Sequence, residues 1–114
     1  MKMIGRYAEL LATKGVSLEG LGIAERALRR DDALEAVHAL EGSLVSILGG
    51  DVYVQRQGAV QPAYANWYAD RRDGEPQKEF AVRSWLKAEG YISDYPRKEN
   101  EQPLFVLVLS TTDP

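Results

Sequence analysis

The chain contains no cysteine. That excludes disulfide staples, thiolate metal sites and cysteine nucleophiles together, and it suits a reducing cytoplasm. There is a single histidine, His38, so neither an HExxH pair nor a multi-histidine zinc site can be built within one chain. An excess of base is missing too: 14 Lys and Arg face 17 Asp and Glu, for a net charge of −3 and a pI near 5.2. Eight acids and seven bases lie up to Gln57, nine and seven beyond it, so neither half is basic. The positive patch typical of nucleic-acid binding is therefore not expected. Long apolar runs are also lacking. The longest, Leu104–Leu109, falls far short of the roughly 20 residues of a membrane-spanning helix. Arg6 and Glu9 interrupt the N-terminal "MKMIGRYAELL" before a signal-peptide core can form. The expectation is a soluble cytoplasmic protein with no membrane or nucleic-acid partner.

What is present is enough for one domain over residues 1–114. The chain is 45% hydrophobic, which supplies a core without staples. Ile4, Tyr7, Leu10 and Leu11 recur at helical spacing, and Lys14-Gly15 closes that helix with a cation and a glycine stop. A short helix is expected around Ile23–Arg30. Asp32-x-x-Glu35 then reads as a capping box ahead of Leu34, Val37 and Leu40, with Gly42 ending the helix. Asp51–Gln57 alternates as a strand, Gly58 marks a hairpin turn, and Ala63–Arg71 alternates again. Asp73-Gly74 and Pro76 announce a helix on which Ala81, Trp85, Ala88 and Ile92 share a face, with Gly90 a candidate break. "LFVLVLS" is apolar on both faces, as a central strand covered twice requires. These elements predict an α+β fold: a small three-stranded, mostly antiparallel sheet, N-terminal helices, and one helix inserted before the last strand.

Catalytic chemistry finds little to work with. "LGGDVYV" places Gly49-Gly50 before a strand, whereas phosphate loops need glycines after a strand and opening a helix. The glycines read as a turn or close approach launching the hairpin. Asp51 is open to several roles: base, metal ligand, partner contact, or acceptor of backbone amides in a tight turn. Ser43 and Ser84 do not sit in a nucleophile elbow, and His38 lies mid-helix as a structural residue. Asp31, Asp32 and Glu35 suit helix capping, and Asp70, Asp73 and Glu75, interleaved with Arg71 and Arg72, read as a solvated loop. No catalytic residue, metal or cofactor is expected.

The aromatic content is more telling. Tyr53, Tyr64, Trp67 and Tyr68 all fall in the proposed hairpin. If Trp67 and the valines face the core, then Tyr53, Tyr64, Asn66 and Tyr68 face the other way. Tyrosine is favoured at protein interfaces because it buries a large area and keeps a polar handle. The competing reading is that a helix covers this face.

The order of "GI…AL", "DDALEAV", "ILGGDVY", "NWY", "FAVRSWLKAEGYI" and "LFVLVL" resembles the immunity protein 40 family over about Ser17 to Leu109. Members are small bacterial proteins encoded beside polymorphic toxins. The resemblance implies a non-catalytic inhibitor that binds the C-terminal domain of a cognate toxin one-to-one. It marks Gly49, Gly50, Asp51, Tyr53, Asn66, Trp67 and Tyr68 as motif residues, each either structural or in contact with the toxin. Two other functions stand beside it: a module binding a peptide or small ligand through the tyrosine-rich face, and an enzyme relying on Asp51 or another carboxylate.

Overall fold

The computed structural model describes residues 2–110 and the side chains of residues 5–110. Helix α1 (Lys2–Lys14) leads into a two-residue strand β1 (Val16–Ser17), a single 3-10 turn at Glu19–Leu21, and strand β2 (Arg26–Arg29). Helix α2 (Arg30–Leu40) precedes the long hairpin of β3 (Ile47–Arg56) and β4 (Ala59–Tyr68). Helix α3 (Gln77–Asp94) and strand β5 (Gln102–Leu109) complete the chain. The sheet has five strands in the order β1-β2-β5-β3-β4, and every pairing is antiparallel. The α+β class is as expected; a three-stranded sheet is not. The two extra strands are those with the weakest local signal.

The segment read as a short helix, Ile23–Arg30, is strand β2 and its approach. Ala, Leu and Arg are all good helix formers, but Leu28 pairs with Phe105 and Ala27 with Val16, and both inner side chains are fully buried. Satisfying the open backbone edge of β5 outweighs local propensity, which spans only about 0.7 kcal/mol per residue. Asp32 is likewise not a cap. Helix α2 begins at Arg30, with extended Arg29 as its N-cap residue, and Asp31 and Asp32 sit in the first turn, where they favour the positive helix end. Helix α3 runs through Gly90 without a break. Its last carbonyls are held by Arg30, which donates to Ile92 O at 2.6 Å, Ser93 O at 3.0 Å and Tyr95 O at 2.9 Å.

All three helices pack on one face of the sheet. Leu10 from α1, Ala33, Ala36, Val37 and Leu40 from α2, and Ala81, Trp85, Ala88 and Ile92 from α3 meet Leu28, Ile47, Val52, Trp67, Phe105 and Leu107. The apolar faces read from α1 and α3 are thus the buried ones; Ile4 lies outside the residues whose side chains are described. Ser84, buried on α3, accepts from Ile47 N at 2.9 Å, and Trp85 Nε1 donates to Val45 O at 2.8 Å. Together they fix where β3 begins. The opposite sheet face carries a smaller cluster, Leu18, Ala27, Leu104 and Val106, with Val16, Ile23, Tyr53 and Val60 packed against it. Strand β5 is therefore central and covered twice, as its sequence requires.

Gly49 and Gly50 do not form a turn. They lie inside β3, paired with β4 on one side and β5 on the other. The close-approach reading is the one that applies. A Cβ at Gly50 would lie 2.3 Å from Trp67 Cη2 and 2.5 Å from the Val106 carbonyl oxygen; one at Gly49 would lie 2.3 Å from the Trp67 carbonyl oxygen. The indole of Trp67 rests on the backbone of its cross-strand neighbour, a place only glycine leaves open. The turn proper is Gln57-Gly58, with φ of +53° and +82°, the left-handed pair that suits a two-residue hairpin.

Replacing Gly50 by Ala is expected to lower unfolding free energy by about 3 kcal/mol, because the sheet backbone and the indole cannot both yield. Urea denaturation followed by tryptophan fluorescence would measure it. A loss under about 0.5 kcal/mol, the size of an ordinary surface substitution, would contradict this packing.

Candidate functional site

The two motifs that looked separate in the sequence are one unit. In the β3–β4 ladder Gly49 faces Tyr68, Gly50 faces Trp67 and Asp51 faces Asn66. Side chains alternate across a strand, so the unit has two faces. Trp67 turns toward the helices: it is only 6% exposed and stacks on Tyr91 of α3 with ring centroids 4.6 Å apart. Tyr91 and Tyr95 continue this aromatic row to Phe105. Asp51, Asn66 and Tyr68 turn the other way and are exposed.

A displacement in register shapes the outer face. Val52 pairs with Ala65 but Tyr53 pairs with Pro62, so Ala63 and Tyr64 bulge out of β4 without Cα partners. Tyr64 takes a left-handed φ of +57°, unusual for a side chain of its size, and is 91% exposed. Beside the bulge is a concavity of about 330 Å³. Asp51, Tyr53 and Asn66 line it, as do Tyr64, Pro62 and Ile23. Burial, with the charges of Asp51 and Glu25, pushes the Tyr53 phenol above its ordinary value. Among the described residues no α-helix covers this face; the 16–23 segment with its 3-10 turn does so, through Leu18 and Ile23.

Of the residues singled out from sequence, Asp51, Tyr53 and Asn66 come together in the concavity, with Tyr68 alongside but not lining it. Gly49, Gly50 and Trp67 form the frame beneath them. Asp51 caps no turn; it sits mid-strand, and none of the ion pairs among the described residues includes it. Ile23 and Pro62 went unnoticed as site residues. Proline inside an otherwise strand-like run was the available signal for the second, since it marks an edge or a bulge.

The strand edge is tied back to α3. Lys87 donates to the Tyr68 carbonyl, and its Nζ lies 5.4 Å from the Tyr68 ring centroid. Arg83 donates to Asp70 O at 2.6 Å and grips both Glu75 oxygens at 2.8 and 2.9 Å, while the Arg72 backbone N–H also donates to Glu75 at 2.9 Å. Glu75 is thus the clamp of the β4–α3 connection rather than part of a solvated loop. His38 is exposed and bonds Glu89 of α3 at 2.9 Å, which raises its pKa. Ser84 serves the backbone. Among the described residues no group of three or more His, Asp or Glu side chains gathers that could hold a metal ion.

A family model described as immunity protein 40 matches residues 17–109, which is most of the chain. The chain belongs to the immunity protein 40 family. It is thereby an immunity protein of a toxin system, a family whose members are in general non-catalytic inhibitors with a toxin protein as partner. No curated protein and no solved structure matches it. In this immunity protein no helix of the described residues is long and apolar enough to cross a membrane.

The Glu75 clamp makes a pH prediction. Hydrogen bonds from Arg83, then from the Arg72 backbone, hold the Glu75 pKa at about 2, down from an ordinary 4.5. A carboxyl depressed on folding stabilises the fold fully above its unfolded value and loses that contribution as pH falls toward its folded value. Melting temperature should therefore fall between pH 4.5 and 2, and Glu75→Gln should flatten that fall while lowering the melting temperature at pH 7. Identical profiles for both proteins would contradict the clamp.

Proposed function

We propose that this immunity protein neutralises its toxin by stoichiometric binding. The outer face of the β3–β4 hairpin covers the active site or substrate access of the toxin's C-terminal domain in the cytoplasm of the producing cell. One observation carries the reading: Tyr64 and Tyr68, 91% and 65% exposed, stand beside Asp51 and Asn66 on a hairpin whose backbone is fixed by the Gly50–Trp67 contact. Large aromatic groups held rigidly bury area at low entropic cost, and such residues dominate binding energy at interfaces. Backbone held in a sparsely populated conformation, as at Tyr64, clusters at ligand clamps and active sites. The motif residues then divide their labour, with Gly49, Gly50 and Trp67 setting the frame and Asp51, Tyr53, Asn66 and Tyr68 presenting the surface.

A module for a peptide or small ligand is the second reading, favoured by the concavity between Ile23 and the bulge. The two separate by partner size: a toxin domain would occupy the tyrosines at both ends of the motif, whereas a small ligand would need only the concavity.

Co-expression with the C-terminal domain of the toxin encoded by the adjacent gene is expected to yield a one-to-one complex without toxicity. Tyr64→Ala and Tyr68→Ala should each weaken the complex by about 2 kcal/mol, roughly 30-fold, with melting temperatures near that of the parent. Failure to bind a correctly folded toxin domain would sink the proposal. Binding unchanged by both substitutions would move the contact to another surface.

A further inference from the structure

The concavity beside the bulge has a chemistry more specific than aromatic stickiness. Asp51 brings a carboxylate to its lining, and Asn66, its direct cross-strand partner with Cβ atoms about 5 Å apart, brings a side-chain amide to the same concavity. Tyr53 and Tyr64 supply rings, and Ile23 and Pro62 supply apolar wall. None of the lining residues is a base. None of the ion pairs among the described residues reaches Asp51, although Arg6, Arg56 and Arg83 are each paired with a carboxylate elsewhere. Glu25 adds a second negative charge close enough to act on Tyr53. The site is thus a negative, aromatic-walled recess in which none of the ion pairs among the described residues supplies a counter-charge.

We propose that this recess seats an arginine side chain of the toxin domain, with Asp51 as its counter-ion, the Asn66 amide oxygen as a further acceptor, and the Tyr64 and Tyr53 rings against the guanidinium plane. The inference rests on the toxin-binding reading above and adds to it the chemistry of the contact. Arginine fits better than lysine for two reasons. Its planar fork can donate to a carboxylate and a neighbouring amide oxygen at once, and it stacks on aromatic faces, being less strongly hydrated than an ammonium. A volume of about 330 Å³ accommodates one such side chain. The left-handed Tyr64 sits in the bulge and lines the recess from the same face of β4 as Asn66.

Two measurements test this. In the first, the toxin domain is bound to the parent, to Asp51→Asn and to Glu99→Gln, a control with the same charge change in the exposed 96–100 stretch. Asp51→Asn should raise Kd by at least about 30-fold while leaving the melting temperature unchanged, and Glu99→Gln should change neither. A complex in which Asp51→Asn binds like the parent overturns the arginine seat but leaves toxin binding standing. The absence of any complex overturns the toxin-binding reading, and the second measurement then decides the seat alone. N-acetyl-arginine amide is titrated into the isolated domain while backbone amide resonances are followed. Saturable millimolar shifts at residues 51, 53, 64 and 66, lost in Asp51→Asn and absent with the citrulline analogue, support the seat. No shifts at those residues, or equal shifts with citrulline, overturn it, and a stronger response to N-acetyl-lysine amide overturns the choice of guanidinium.

Discussion

Everything on the hairpin depends on one contact, the Trp67 indole lying on the bare backbone of Gly50. The missing Cβ lets the ring approach the strand, and the ring in turn covers a stretch of β3 that has no side chain of its own to bury. Stacking on Tyr91 then connects the hairpin to α3, and the row continues through Tyr95 to Phe105 on the central strand. Because alternation is strict on either side of the pair, fixing Trp67 inward fixes Asp51, Asn66 and Tyr68 outward. The residues of the frame therefore also decide which face the display residues occupy.

This coupling suits a surface shaped in advance for a partner. Rigidity on one face gives the other face a defined shape before a partner arrives, so less ordering entropy opposes association. Lys87, Arg83 and Glu75 extend the same restraint to the end of β4, where an open strand edge would otherwise fray or recruit another chain. Pro62 and the bulge interrupt the rest of that edge.

Much of this was legible in the sequence, for identifiable reasons. Long amphipathic helices announce themselves through period, and α1 and α3 bury the faces their spacing picks out. The outward set of the hairpin followed from alternation alone. Strand β2 was not legible, because "RALR" is built from helix formers and becomes a strand only by pairing with β5, some 75 residues further on. The partner of Gly50 was hidden by the bulge. Counting back from the Gln57-Gly58 turn at constant register sets Gly50 opposite Ala65 and Asp51 opposite Tyr64; the two-residue shift moves these to Trp67 and Asn66. A shift of two leaves every side chain on its original face, so no pattern of polar and apolar residues can betray it. Without that partner, a glycine pair ahead of alternating residues reads as a turn.

The sheet order has a consequence in time. Strands β2 and β3 both pair with β5 and not with each other, and β5 follows every other strand of the described residues in the chain. The hairpin can close early, but its link to β1 and β2 waits for residues 102–109. At about 5–20 residues per second, that strand follows the end of β4 by a few seconds. The nascent domain thus passes through an interval in which β3 and β4 are both synthesised while the core beneath them is open. Closure of the sheet therefore waits for one central strand to pair with both of its neighbours.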